Sequence, residues 1–210
     1  RDDRGRMNLQ WQEPPSNDDQ PQLGDDASRY MVYQSPNGYG FDNGTEVSDE
    51  DTQIPKEQNS EVAYLKVTAT NKGGESWPTE VLAFKEGEPK KTVLLVYAFD
   101  RLDSGMNLVQ ENGAHRGILS KMNTYDYIVQ HAEAIEPTGW GIESASDEAI
   151  AAGRINMNDY GAVILILGQE KQLDESLLRR IEDYKQNDGR IFVSGSEAFY
   201  AMSQDNDSSL

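Results

Sequence analysis

The chain has 210 residues, which is enough for one or two domains with a buried core. Its 19 lysines and arginines against 37 aspartates and glutamates give a formal charge of −18, which argues against nucleic acid and anionic membranes as partners, because the field repels phosphate. No apolar run is long enough to cross a bilayer. Cysteine is absent, which excludes thiol nucleophiles, thiolate metal sites and disulfides. The chain begins at Arg1 without a signal peptide, so we expect a mature or excised piece.

The hydrophobic pattern changes near residue 88. Before it, short alternating segments are separated by Gly, Pro and Asn turns, and after it longer apolar strands alternate with helical stretches. The segment 86–91 is polar and contains both a glycine and a proline, so it is the predicted linker. The sequence therefore predicts two domains, 1–88 and 89–210.

Alternating strands are predicted throughout the first domain. Leu9 and Trp11 share one face of the first strand, and Tyr30 and Val32 repeat the pattern. The turn sequences between strands contain Asn-Gly, which tolerates the positive φ that tight hairpins require. Strands are predicted at 7–11, 30–33, 64–70 and 81–84. Together they indicate a small antiparallel β-sandwich.

The second domain is predicted to be an open α/β sheet. Apolar strands at 92–99, 162–167 and 190–193 are suited to a sheet covered by helices on both faces. Helices are expected at 125–135, at 146–152 with Ser146 as N-cap, and after Asp174 as far as Gly189. This order predicts parallel strands of the flavodoxin or class I amidotransferase type. Such a sheet usually has about five strands, and only a weaker candidate at 140–143 adds to the three, so the sheet is predicted to be incomplete at the C-terminus.

Ligands of open α/β sheets bind beyond the carboxyl ends of the strands. The candidate binding residues that follow the three strands are Arg101, Asp103, Gln169, Glu170 and Ser194. The loop after the first of these strands holds Asp100, Arg101 and Asp103, and it could orient a sugar or hold a hard cation through oxygen ligands. The alternative is that Arg101 pairs with Asp103 while Asp100 caps a turn.

A hydrolase would depend on Ser196 and His131. Ser196 lies between a strand and a predicted helix, where a strained turn can present a nucleophile, although its neighbours do not match Gly-x-Ser-x-Gly. A serine nucleophile needs a general base, and His131 is the better placed of two histidines. The candidate catalytic residues are thus Asp100, His131, Ser196 and Glu197. The alternative is that Ser196 and Glu197 begin a helix and that His131 is a hydrogen-bonded residue at the sheet surface.

No cofactor and no metal is predicted. The histidines lie at unrelated positions, and no phosphate-cradling Gly-x-x-x-x-Gly-Lys-Ser/Thr or Gly-x-Gly-x-x-Gly follows a strand. Tyr39, Phe41, Trp77 and Trp140 are candidate platforms for sugar rings, with packing in the core as the alternative.

Three runs in the first domain resemble a fibronectin type III module. They are Leu9-Gln10-Trp11-Gln12-Glu13-Pro14, Tyr30-Met31-Val32-Tyr33 and the run from Tyr64 to Ser76. Ala63 stands where that family usually has the tyrosine of its corner hydrogen bond. The resemblance implies a fibronectin type III-like sandwich.

A longer resemblance covers most of the chain from about Arg29 onward. The run from Gly73 to Arg101 is similar to a family of secreted gut-bacterial proteins, in which a fibronectin type III module leads into an α/β domain; members are labelled xanthan lyase-like or N-acetylmuramoyl-L-alanine amidase-like. Further matches are the runs 123–127, 130–135, 143–149, 166–170 and 194–197. The resemblance implies a secreted or cell-envelope location, and a polysaccharide or peptidoglycan target whose catalytic domain lies elsewhere in the parent protein.

Three functions follow from these observations. The first is an accessory, non-catalytic region that spaces neighbouring domains or binds glycan. The second is an α/β hydrolase acting on glycan or muropeptide through a cleft at the strand ends, with His131 and Ser196 within hydrogen-bond reach, directly or through one water. The third is a protein-interaction module that uses an exposed edge strand. The expected partners are polysaccharide or peptidoglycan and other domains of the parent chain.

Overall fold

A computed structural model describes residues 6–14, 26–55, 60–88, 90–99, 107–109, 111–113, 115–117, 127–168 and 173–196. The backbone divides into two compact units: one holds Arg1–Val81 and Ser104–Thr124, and the other holds Leu82–Asp103 and Tyr125–Leu210. The domain limits 1–88 and 89–210 stay a prediction.

The chain has α/β content, with antiparallel and parallel sheets. In chain order the strands are β1 (Arg6–Gln10), β2 (Arg29–Ser35), β3 (Thr45–Val47), β4 (Asp51–Pro55), β5 (Ala63–Asn71), β6 (Gly74–Glu75), β7 (Leu82–Phe84), β8 (Thr92–Tyr97), β9 (Asn107–Val109), β10 (His115–Gly117), β11 (Gly141–Ser146), β12 (Ala162–Gly168) and β13 (Ile191–Gly195). The α-helices are α1 (Ile128–Ile135), α2 (Asp147–Ala151) and α3 (Glu175–Gln186).

The first unit is built from antiparallel strands. β1 pairs with β4, while β3, β2, β5 and β6 are hydrogen-bonded in that order. β9 and β10 form a separate antiparallel pair. The alternation seen in the sequence buries Met7 and Leu9 on β1 and Tyr30 and Val32 on β2. Gly44 has a φ of 78°, as expected for the Asn-Gly turn before β3.

The second unit contains a four-stranded parallel sheet in the order β11, β8, β12, β13. All three neighbouring pairs run parallel, which confirms that the three apolar strands are adjacent and point the same way. The weaker candidate strand is confirmed as β11, at the edge of the sheet. Every residue of β8 is buried, as the pattern of a doubly covered strand predicts.

Helices α2 and α3 pack on one face of this sheet. Leu94 and Leu165 contribute to a core shared with Ile150 of α2 and with Leu177 and Ile181 of α3. These helical positions recur at the spacing that the sequence predicts for an amphipathic helix.

Both predicted helix caps are confirmed, whereas the start of α1 differs from the prediction. Asp174 caps α3, because its Oδ1 accepts from the backbone N–H groups of Ser176 at 2.7 Å and Leu177 at 3.3 Å. Ser146 is the N-cap of α2. Helix α1 begins at Ile128 rather than at 125, because Tyr127 has a φ of 63° in the left-handed region and cannot continue a helix.

The segment predicted as a linker is partly bound to the second unit. The backbone N–H of Lys85 donates to the carbonyl of Ile142 at 2.7 Å, and the N–H of Ile142 donates back at 2.8 Å. Gly87 lies so close to Gly141 that a Cβ on Gly87 would come within 2.4 Å of the Gly141 Cα. Residues 85–87 therefore follow the outer edge of β11, and the predicted linker 86–91 begins within this stretch.

Candidate functional site

The carboxyl ends of the four parallel strands line up at one edge of the sheet. The register places Ser146 of β11 and Ile166 of β12 on either side of Tyr97 of β8. Gly168 of β12 lies beside Gly195 of β13. We refer to this edge, together with the adjoining residues Phe99, Ser194 and Ser196, as the strand-end rim.

Ser196 lies at this rim and is bonded to the neighbouring strand. Its backbone N–H and its hydroxyl both donate to the carbonyl of Gly168, at 2.8 and 3.1 Å. Gly168 has a φ of 53°, and the ring of Phe99 lies against it. The proton that a general base would have to take from a nucleophilic Ser196 is thus donated to a backbone carbonyl.

His131 lies on α1 and also bonds to the backbone. Its Nδ1 lies 2.7 Å from the carbonyl oxygen of Tyr127. Because a carbonyl can only accept, Nδ1 carries the proton and Nε2 is the basic nitrogen. Within the described ranges no hydrogen bond joins His131 to Ser196, and contact between them through one water stays a prediction.

Most of the predicted site residues lie outside the described residues. They are Asp100, Arg101, Asp103, Gln169, Glu170 and Glu197. Their convergence with His131, Ser194 and Ser196 therefore stays a prediction. In the part of the chain that the structure describes, no three His, Asp or Glu side chains are grouped so that they could hold a metal ion. No helix there has the length and apolar character that crossing a membrane requires.

The four aromatic residues considered as sugar platforms have different surroundings. Tyr39 and Trp77 are 52% and 45% exposed. Phe41 is half-buried beneath a lysine side chain, and Trp140 lies against Gly161 at the other end of the parallel sheet. Phe41 is therefore part of a different arrangement, on the first unit.

That arrangement is a polar cluster on the face of β2 and β5 that points away from Val32 and Val67. Lys66 of β5 pairs directly with Tyr33 of β2, and its side chain is only 6% exposed. Its ammonium lies 4.1 Å from the centre of the Phe41 ring and 6.0 Å from that of Tyr33, close enough for cation–π attraction.

A carboxylate is hydrogen-bonded to two other side chains of this face. Glu75 of β6 accepts hydrogen bonds on one oxygen, Oε1, from the hydroxyls of Tyr33 at 2.5 Å and Thr68 at 2.6 Å. We refer to Tyr33, Phe41, Lys66, Thr68 and Glu75 as the lysine cluster.

Burial and the carboxylate shift the ionisation of this cluster. Burial raises the pKa of Tyr33 to about 12, and the hydrogen bond to Glu75 adds to the rise. Burial lowers the pKa of Lys66, and the negative charge of Glu75 opposes that shift. The cluster thus holds an ammonium that is partly removed from water and an exposed carboxylate whose negative charge acts on it.

Sequence reasoning did not identify the lysine cluster. The one local signal is Lys66 itself, which lies between Leu65 and Val67 in a strand with buried residues on both faces. Its neighbour Tyr33 follows from strand pairing, whereas Phe41 and Glu75 come from a loop and a two-residue strand. No spacing rule connects these positions.

Comparisons with known proteins give little further information. No family model matches the chain, and no curated protein matches it significantly. Among solved structures, the chain is similar to the "putative polysaccharide deacetylase BA0330 from bacillus anthracis", with 13% identity and a TM-score of 0.23. The match covers 88% of this chain and 49% of that one, so the chain spans about half the length of that structure. A likeness at this TM-score carries no argument about fold or activity.

Proposed function

We propose that the chain is an accessory, non-catalytic region of a secreted or cell-envelope protein that targets polysaccharide or peptidoglycan. In that protein it spaces neighbouring domains or binds glycan. The composition fits this role, because a charge of −18 disfavours nucleic-acid partners. The location and the class of target are those implied by the resemblance to secreted gut-bacterial proteins.

The same proposal includes a specific fold for each of the two units. A fibronectin type III-like sandwich is supported by the antiparallel β1–β4 pair, by the antiparallel sheet of β3, β2, β5 and β6, and by the edge-to-face contact of Trp11 with Tyr30, whose ring centres are 5.1 Å apart. A flavodoxin-like second domain is supported by its strand order. Numbered by their sequence within the unit, its four described parallel strands follow the order 2-1-3-4, which matches the first four positions of the flavodoxin order 2-1-3-4-5.

One observation carries the non-catalytic assignment. The hydroxyl of Ser196 donates to the backbone carbonyl of Gly168. A serine hydrolase requires the serine hydroxyl to donate to the histidine. The hydroxyl of Ser196 therefore has a structural partner other than a general base.

The test is turnover by the isolated 210-residue chain. Xanthan, neutral polysaccharides and purified muropeptides are incubated with the protein, and new reducing ends and free amines are measured by colorimetry and mass spectrometry. We expect no product above the buffer control. Product formed by the wild type would overturn the proposal, and its loss in Ser196→Ala or His131→Gln would assign the activity to those residues.

The hydrolase remains the alternative function, and one observation favours it. The bond from Nδ1 to Tyr127 sets the tautomer of His131 so that Nε2 is basic, as a general base requires. In this alternative Asp100, His131, Ser196 and Glu197 act on glycan or muropeptide from the strand-end rim. The same turnover measurement distinguishes the two functions.

A further inference from the structure

Two Asn-Gly dipeptides lie in the loop that joins β2 to β3, and their hydrogen bonds differ. They are Asn37-Gly38 and Asn43-Gly44. Asparagine is a chemically labile residue, and it is most labile before glycine, because no Cβ obstructs the approach of the next backbone nitrogen to the side-chain carbonyl carbon. Both asparagines are exposed, and both glycines have a positive φ, 76° at Gly38 and 78° at Gly44. Exposure and glycine conformation therefore do not distinguish the two pairs.

Hydrogen bonds hold both reacting groups of the first pair. The side-chain oxygen Oδ1 of Asn37 accepts from the backbone N–H groups of Tyr39 at 3.0 Å and Gly40 at 3.1 Å. The Ser35 hydroxyl donates to the same oxygen at 3.1 Å and accepts the N–H of Gly38 at 2.8 Å. Attack of the Gly38 nitrogen on Cγ of Asn37 requires these bonds to break, so the folded loop protects this pair.

The asparagine of the second pair has no such restraint. Within the described ranges, the side-chain amide of Asn43 neither donates nor accepts a hydrogen bond. It can therefore rotate to bring Cγ toward the Gly44 nitrogen. The N–H of Gly44 donates to Oδ1 of Asp42 at 3.0 Å. This acceptor is a carboxylate, a group that can take up a proton as the nitrogen attacks.

We propose that Asn43 is a site of spontaneous deamidation in the folded chain, while Asn37 is protected. The Gly44 nitrogen attacks Cγ of Asn43 and forms the new N–C bond of a succinimide ring. The proton of this nitrogen passes through Asp42 or water to the side-chain nitrogen, which leaves as ammonia when its bond to Cγ breaks. Water then opens the ring at either carbonyl, leaving aspartate or isoaspartate at position 43.

The product changes the turn before β3 in two ways. It adds one negative charge, and isoaspartate also lengthens the backbone by one atom, because the chain then continues through the side-chain carbon. The space around this turn is narrow, since a Cβ on Gly44 would lie 2.9 Å from Cε1 of Tyr33 and 3.0 Å from Cε of Met31. The modification therefore falls on a turn that packs against Tyr33 of the lysine cluster.

The experiment follows both asparagines in the full chain during incubation at mildly alkaline pH. Peptide mapping by mass spectrometry measures the mass gain at each position, and chromatography separates aspartate from isoaspartate. The same incubation in urea that unfolds the chain gives the rates without the folded loop. Ser35→Ala removes the hydroxyl that bonds both members of the first pair, and Ser48→Ala is the matched control at an exposed serine outside both pairs. Circular dichroism checks that the variants fold.

We expect Asn43 of the folded wild type to deamidate about tenfold faster than Asn37 or more, which is the factor that corresponds to breaking about one hydrogen bond. In urea the two rates should become similar. Ser35→Ala should raise the rate at Asn37 only, and Ser48→Ala should change neither rate.

Equal rates in the folded wild type, or a difference that persists in urea, would overturn the inference. So would an Asn43 that stays intact in the folded chain while it deamidates in urea. An unchanged rate at Asn37 in folded Ser35→Ala would overturn the protection assigned to the loop. If Ser35→Ala does not fold, the comparison of folded and unfolded wild type decides alone.

Discussion

The strand-end rim and the lysine cluster both contain polar side chains on or near β-strands, but these side chains have different kinds of partner. At the rim, the Ser196 hydroxyl donates a hydrogen bond to the backbone carbonyl of Gly168. In the lysine cluster, Oε1 of Glu75 accepts from the Tyr33 and Thr68 hydroxyls, and the amine of Lys66 faces aromatic rings. Among the described residues, a polar side chain at the strand-end rim is thus bonded to the backbone, whereas those of the lysine cluster interact with other side chains.

The largest expected effect tests how tightly the rim is packed. In Gly168→Ala the residue keeps a φ of 53°, and its new Cβ would lie 2.6 Å from the Cγ of Phe99. We expect the free energy of unfolding in urea to fall by about 2–3 kcal/mol, from backbone strain and overpacking together. Gly40→Ala is the control, since its Cβ would meet nothing within 4 Å. Equal stability of the two variants would contradict the tight packing of the rim.

The next effect concerns the charge in the lysine cluster. Lys66→Met keeps the length of the side chain and removes the desolvated ammonium, so we expect a gain of about 1 kcal/mol in the free energy of unfolding at pH 7. Burial lowers the pKa of Lys66 below its ordinary 10.5, so between the two values the unfolded state binds more protons and wild-type stability rises with pH. The advantage of the variant should therefore shrink toward pH 10.5. A variant less stable than wild type at pH 7 would show that the amine is better satisfied than its contacts indicate.

A smaller effect is expected from the tyrosine of the same cluster. The pKa of Tyr33 is about 12 in the folded chain against an ordinary 10, so its contribution to stability is complete below pH 10 and is lost as the pH rises to 12. Because the ring is half-exposed, solvent screening keeps this loss below about 1 kcal/mol. Tyr33→Phe in the Lys66→Met background should lose less stability over that interval than Lys66→Met alone. Parallel pH curves for the two proteins would contradict the assignment.

The smallest effect is expected at Ser196. In Ser196→Ala the backbone N–H still donates to the Gly168 carbonyl at 2.8 Å, so that carbonyl keeps a partner. We expect the free energy of unfolding to change by no more than about 0.5 kcal/mol, and the thermal midpoint to stay close to that of wild type. A loss well above 1 kcal/mol would mean that the hydroxyl bond holds the rim together.

Much of the second unit could be predicted because its signals are local. β8 and β12 are apolar on both faces, and Asp174 and Ser146 are polar residues at the starts of helices, as caps require. The start of α1 could not be predicted, because the left-handed conformation of Tyr127 is not encoded by its residue type.

The candidate sites were harder to predict, for two physical reasons. The partners of Ser196 and His131 are backbone carbonyls, which every residue carries and no side-chain motif marks. The lysine cluster depends on the pairing of Lys66 with Tyr33, a register that only the folded sheet defines. Alternation along β5 could identify the face on which Lys66 lies, but not the rings around it.

The reciprocal bonds between Lys85 and Ile142 make the two flanks of the parallel sheet unequal. They occupy backbone groups on the outer side of β11, whereas β13, within the described residues, pairs with β12 only. A strand edge whose backbone groups have no partner is a template on which another chain can add a strand. Among the described residues, the edge of this layer at which a further strand could pair is therefore that of Ile191–Gly195.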